Sequence, residues 1–362
     1  MTEETGIGRI APTEIVTCGA VLGGFPNGDL QGREFCRNSS SCQNSGIKQN
    51  GVHDMALFFS RRTYNSKKKK FTLKPAAKTR YVNITKKNAD GSIRKGSIVK
   101  KAKWLDLVRQ QGGDTSVLIY VHGFNTSQKD MLDRLEKIES GVRSNGYKGA
   151  VIAFDWPSDG SLHTYDRDRA DAKAVAPHFV GDGILELLGM SPRPKVHVIA
   201  HSMGALVVLR AFSDFGDSAG PGNKVWSADQ VMFVSGDVEA AWFEKGAWGD
   251  LVLKKRSKRF TNYYSGMDKV LALSSGIVNG GRPRVGRAGM PKLTSKGQWD
   301  LFCDHQYKRD VPKGKRNRTK SHRWWFDSKA FYKDLALTID GRDAKTMPTR
   351  HSTTIGDQAL LA

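Results

Sequence analysis

KVHVIAHSMGALVVLRAF, residues 195–212, is the stretch on which the fold turns. Its first part is dense in apolar and β-branched residues, as in a strand buried on both faces. From Met203 onward the apolar residues recur with helical spacing. A single serine, Ser202, stands at the junction, with Ala200 two residues before it and Gly204 two after. A strand that turns sharply into a helix holds such a residue in strained geometry and lifts its hydroxyl above the sheet edge. Its neighbours must be small, because the two backbones approach closely. This is the nucleophile elbow G-x-S-x-G, with Ala200 in place of the first glycine. The competing reading is a serine that only caps the helix beginning at Met203.

The alternation continues on both sides. TSVLIYVHGF (115–124) and GAVIAFDWPSDG (149–160) read as strands, separated by an amphipathic helix over 126–146. A second helical stretch, 168–190, contains Pro177, a break or kink. QVMFVSGD (230–237), RFTNYYSGMD (259–268) and the weaker WDLFCD (299–304) are further strands, and 328–339 is a closing helix. Strands alternating with helices of this length predict an α/β fold: a mostly parallel central sheet covered by helices on both faces. Residues 1–53, rich in Gly, Asn and Ser, read as a loosely structured extension. Residues 54–111 form a basic region that either stands as a small antiparallel unit or supplies the first strands of the sheet. The main domain is expected over 112–341, followed by a flexible tail, 342–362.

Candidate chemistry gathers around the elbow. The helix N-terminus after Ser202 favours developing negative charge. In this architecture the residue after the nucleophile and the loop after an earlier strand each give a backbone N–H to an oxyanion, here Met203 and Phe124. His122, just before that loop, reads as a structural histidine. A serine needs a base, and the base needs an acid. Chain order in this architecture is Ser, acid, His. The acid is Asp268, after the second strand past the elbow, with Asp237 as competitor and a helix cap as the plain role for either. The base is His322, before the aromatic run Trp324-Trp325-Phe326, with His305 as alternate; His351 falls in the expected tail. Asp155 and Asp159 lack the companions of a metal site, so no metal and no cofactor is expected. GIVNGGRPRVGRAG (276–289) reads as a flexible loop.

The chain of 362 residues carries a formal charge of +22, concentrated in three segments. Residues 61–103 hold +15, 254–259 hold +5 and 308–323 hold +7, which leaves the remainder slightly acidic. Such segments attract polyanions. Beside a site that cleaves esters they suit an anionic lipid surface; nucleic acid is the less favoured partner, because no recognition helix or stacking motif accompanies the charge. The acidic first residues lack a signal-peptide core and no apolar run spans a bilayer, so a cytoplasmic protein, or one exported without a signal peptide, is expected. Cys18, Cys36, Cys42 and Cys303 are too few and too irregularly spaced for a zinc site.

LIYVHGFNTS, AVIAFDWPSDGS, VHVIAHSMGALVVLRAF, YYSGMDKVLALSSG and SHRWWFD occur in this order over residues 115–340. The chain thereby resembles a bacterial α/β-hydrolase family of uncharacterised function. The resemblance implies Ser202 as nucleophile, Asp268 as acid and His322 as base, and no particular substrate. The basic insertion at 308–320 departs from the pattern just before the histidine, and the basic N-terminal region lies outside it. The expectation is a serine hydrolase acting on a carboxylic ester, with amide cleavage, acyl transfer or non-catalytic polyanion binding as the alternatives.

Overall fold

The computed structural model describes residues 56–68, 70–87, 93–158, 165–217, 226–291, 295–353 and 357–362. The expected N-terminal extension and three of the four cysteines lie outside them. Three strands open the fold: β1 (Ala56–Asn65), β2 (Lys70–Lys87) and β3 (Ile93–Val99). Helix α1 (Lys101–Val108) leads to β4 (Ser116–Val121), α2 (Gln128–Arg143) and β5 (Ala150–Asp155). Helix α3 (Tyr165–Phe179) carries Pro177 in its last turn and passes through a wide π-type turn, Val180–Ile184, into α4 (Leu185–Leu188). Then come β6 (Lys195–His201), α5 (Gly204–Asp217), β7 (Ala228–Val234), α6 (Trp248–Arg256) and β8 (Ser257–Tyr264). The chain closes with α7 (Lys269–Leu273), α8 (Val285–Ala288), β9 (Gln298–Phe302), α9 (Asp304–Asp310), α10 (Arg318–Arg323), α11 (Lys329–Ile339), β10 (Arg350–Ser352) and β11 (Gln358–Leu360).

Among the described residues the strands form one eleven-stranded sheet in the order β10-β11-β9-β8-β7-β6-β4-β5-β1-β2-β3. All neighbours from β11 through β9 to β1 pair in parallel, and only the outermost ladders are antiparallel. Alternation within the strands sorts the core. Val117, Ile119 and Val121 of β4 pack on the face covered by α3 and α5, whereas Leu118 and Tyr120 pack on the face covered by α2 and α11. Two apolar layers result, one on each side of a twice-buried sheet. Helix α2 begins where Ser127 accepts a hydrogen bond from the Asp130 amide and ends with Arg143 in its last turn, as capping and dipole favour.

The described residues of 54–111 do not form a separate unit: β1 pairs in parallel with β5, and β2 and β3 extend the sheet beyond it. The described residues of 342–362 are not a loose tail. β11 pairs in parallel with β9, Leu360 is fully buried, and Arg350 is buried against Asp334. The Gly/Arg-rich stretch 276–289 is pinned rather than free, since Arg284 is buried and donates both to the Asp237 carboxylate and to its backbone carbonyl. No helix of the described residues is long and apolar enough to cross a membrane.

Candidate active site

Parallel pairing brings the C-terminal ends of β1, β4, β5, β6, β7, β8 and β9 to one edge of the sheet. Ser202 sits there, immediately after β6, with φ +55°. A non-glycine residue in this left-handed region costs about 1–3 kcal/mol and persists only where surrounding contacts impose it. They do so here: Ser202 N–H donates to Val234 O at 3.1 Å, and Ser202 O accepts from the Asp237 amide at 3.0 Å. Gly204 is sterically required, because a Cβ on it would lie 2.5 Å from Val121 O and 2.7 Å from His122 O. Gly123 is held as tightly against the serine: its Cβ would stand 2.6 Å from Ser202 Cβ and 2.8 Å from His201 O. The loop after β4 therefore lies directly on the elbow. Neither Phe124 N–H nor Met203 N–H is engaged by an acceptor among the described residues.

Asp268 follows β8 and is fully buried. One carboxylate oxygen caps α7, accepting from the amides of Val270 (3.0 Å) and Leu271 (2.9 Å). The other accepts from His322 Nδ1 at 2.7 Å. The helix-cap role and the histidine-partner role are thus filled by one side chain. Arg287 steadies this loop by donating to the carbonyls of Asp268 and Gly266, and Ser321 Oγ accepts from the Lys269 amide at 3.1 Å. The basic insertion before His322 does not displace the histidine. It is carried on α10, and its carbonyl accepts from His201 Nε2 at 3.0 Å. The His201 and His322 rings lie 4.6 Å apart. Burial, joined by the neighbouring His322, holds the His201 imidazole well below its ordinary pKa, so it is neutral. The Ser202 hydroxyl has no hydrogen-bond partner among the described residues; such contacts often close only around a bound substrate.

The alternates go elsewhere. Asp237 accepts from Tyr165 OH (2.8 Å), Ser274 Oγ (2.8 Å) and Arg284 Nε (2.8 Å), and its partners include no histidine. Its charge, after burial, is among the causes that push the Tyr165 phenol up to about 12. His305 is exposed on α9, packs edge-on against Phe302, and among the described residues makes no hydrogen bond to either acid. His351 is exposed on β10.

His122 is fully buried and acts on the loop. Its Nε2 accepts from the Trp156 amide at 3.1 Å, so the ring is neutral with its proton on Nδ1, directed to Gly123 O at 3.0 Å. Trp156 stacks on it at 5.3 Å and returns a bond from Nε1 to His122 O. Burial lowers the His122 pKa, consistent with that neutral form.

Arg62, which sequence reasoning missed, is the partner that holds this assembly from β1. It is buried, donates from Nε to Asp155 Oδ1 at 2.7 Å and from Nη2 to Thr126 O at 2.8 Å. Burial works against the Asp155 charge, but Arg62 overrides it and holds the carboxyl far below the usual range. Asp155 is thus spoken for by Arg62, Ser60 and Gln128 and is not available to a metal; Asp159 lies outside the described residues. Among the described residues no group of three or more His, Cys, Asp or Glu converges on a metal position.

A family profile described as alpha/beta hydrolase of unknown function (DUF900) matches residues 99–298. No curated protein matches the chain. Among solved structures the chain is similar to a cutinase-like protein from Cryptococcus sp. (13% identity, TM-score 0.33, 64% of this chain and 97% of that one). It is also similar to a Pyrobaculum calidifontis esterase (9%, TM-score 0.33, 73% and 80%) and to phospholipase PlaB from Legionella pneumophila (9%, TM-score 0.31, 68% and 67%). With more than half of its length inside the family profile, and with the doubly covered parallel sheet described above, this chain belongs to the alpha/beta-hydrolase family of unknown function.

Proposed function

We propose that the protein is a serine hydrolase that cleaves a carboxylic ester through an acyl-enzyme. Ser202 Oγ attacks the carbonyl carbon while His322 Nε2 takes its proton. Asp268 stays ionised, holds the imidazole in the tautomer with Nδ1–H, and stabilises the imidazolium. The amides of Phe124 and Met203 receive the oxyanion. Collapse of the tetrahedral species expels the alcohol, which leaves with the proton from His322. Water, deprotonated by His322, then attacks the acyl group and restores Ser202. An ester asks least of such a site, because an alkoxide leaves with less help than an amine.

The observation that carries this reading is the 2.7 Å pair between His322 on α10 and Asp268 at the start of α7, at the edge where Ser202 is held at positive φ. Fluorophosphonate labelling with the adduct located by mass spectrometry tests it. Label on Ser202 that is lost in Ser202→Ala and falls steeply in His322→Ala is the expected result, with ester turnover down about 10⁴-fold or more in either variant. Folded wild-type protein that takes no label and cleaves no ester in a broad panel refutes it.

A further inference from the structure

The three basic segments are not equivalent once placed on the sheet. Strand β1 runs parallel to β5, so its C-terminal end lies at the same edge as Ser202. Its last pairing with β5 is Ser60 with Asp155, yet β1 continues to Asn65, paired only with β2. Those five residues, bent by two bulges, carry a two-stranded arm past the last β5 pairing at the site edge, and Phe71 of the arm packs back on Phe58 with ring centroids 6.1 Å apart. Lys67, Lys68, Lys70 and Lys74 are exposed at its end, and among the described residues none of them pairs with a carboxylate.

The segment after α9 is on the same edge, because α9 follows the C-terminal end of β9 and α10 carries His322 beside the elbow. Lys308, Arg309, Lys313 and Lys315 are exposed there. β1 lies three strand positions from β6 on one side and β9 three on the other. At about 4.8 Å per strand, the two strands that lead to the clusters stand about 14 Å to either side of β6. The third segment is different. It joins the end of α6 to the start of β8, at the opposite edge, and there Lys254 and Lys258 are paired with Asp250 and Asp229.

We infer that the catalytic edge is a docking face for an anionic phospholipid surface, gripped at two points that straddle Ser202. The arm is what favours lipid over nucleic acid. Leu73, 45% exposed, lies between Lys70 and Lys74 on its second strand, and the Tyr64 and Phe71 rings pack 5.0 Å apart next to its turn. An exposed leucine flanked by lysines gains at a headgroup–acyl boundary and gains nothing on a phosphodiester backbone in water. Docked by this face, the protein presents Ser202 to esters held in the surface. The direction of this inference rests on the ester-hydrolase reading, but the binding itself does not.

The test measures binding of full-length Ser202→Ala protein to vesicles of phosphatidylcholine, with and without phosphatidylglycerol, so that no turnover enters. Binding only to the anionic vesicles, weakened by salt, is expected. Replacing Lys67, Lys68, Lys70 and Lys74 by Ser should weaken it by about fivefold per charge, several hundredfold in all, and the same exchange at Lys308, Arg309, Lys313 and Lys315 should act similarly. Lys255→Ser with Lys258→Ser, on the opposite edge, should change it less than threefold. All the replaced residues are exposed, so thermal melts should stay near wild type. Three results overturn the inference: no preference for anionic vesicles; equal loss per charge from both edges, which is attraction by net charge alone; or duplex DNA displacing the vesicles at equal phosphate. Failed labelling of Ser202 alongside intact vesicle binding strikes only at the hydrolase reading.

Discussion

Asp268 carries two duties, and they respond differently to substitution. In Asp268→Asn the side-chain oxygen still accepts the amides of Val270 and Leu271, but the negative charge facing His322 Nδ1 is gone. The expected result is a fall in kcat of about 10⁴-fold with a thermal midpoint close to wild type. Asp268→Ala loses the cap as well, at about 1 kcal/mol more. If Asp268→Asn keeps most of its ester turnover, the acid is wrongly assigned. The elbow makes a second prediction. Ala200→Gly should fold with a cost of no more than about 1 kcal/mol, because only a methyl is lost and the strand gains freedom. Gly204→Ala has no room, with Val121 O 2.5 Å from the new carbon, and should cost about 1–3 kcal/mol while blunting fluorophosphonate labelling. Chemical denaturation of the pair reads both. This asymmetry also says why the elbow was legible in the sequence: the need for small residues at fixed offsets is local, so it leaves a local mark.

The elements show where legibility ends. The alternating strands and helices of 115–339 were readable because apolar periodicity is written within each segment. The pairing of Asp268 with His322 was readable through the strand it follows and chain order, which favoured Asp268 over Asp237; the structure surrounds Asp237 with Tyr165, Ser274 and Arg284 and no histidine. The contacts made from β1 were not readable. Residues 54–111 could be read as supplying the first strands, but nothing near Arg62 marks its contacts with Asp155 and Thr126, which lie 93 and 64 residues away. Removing that guanidinium leaves a buried carboxylate uncompensated, and Arg62→Ala is expected to cost about 3–5 kcal/mol. The Asp155 carboxyl is depressed by Arg62, so its stabilisation is fully present above the unfolded carboxylate value, about 4, and is lost as pH falls through the still lower folded value. Without Arg62 the buried carboxyl titrates above its unfolded value, so the stability gap between wild type and Arg62→Ala, measured by urea denaturation, should be widest in alkaline solution and narrow steadily as pH falls. A gap that widens in acid contradicts the assignment. Because Arg62 also fixes the Thr126 carbonyl, Arg62→Lys should retain part of the stability yet lower kcat more than it raises KM, the mark of a residue that positions the oxyanion loop.

On the scale of the whole molecule, each end of the parallel sheet is closed by antiparallel strands: β2 and β3 beyond β1, and β10 beyond β11. The second closure comes from residues that sequence reading set aside as a tail, since three-residue strands carry too little periodicity to announce themselves. Its anchor is Asp334 on α11, fully buried and bound to Arg350 through Nε at 2.9 Å and Nη2 at 2.7 Å, with Tyr263 OH donating at 2.7 Å. Tyr263 belongs to β8, the strand that delivers Asp268, so the C-terminal segment is tied to the strand that supports the acid. A chain ended after Gly341 loses Arg350 and the β9–β11 ladder together and exposes the surface that Leu360 covers. It should be destabilised by more than the single variant Arg350→Ala, for which about 3–5 kcal/mol is expected from the stranded Asp334 charge. Arg350→Ala combined with Asp334→Ala should recover part of that loss, since no buried charge is then left without a partner. Urea midpoints of the four proteins decide the matter. A truncated chain as stable as wild type would mean that the closure is incidental, whereas a double variant no better than Arg350→Ala would mean that the closure holds by packing and not by the ion pair.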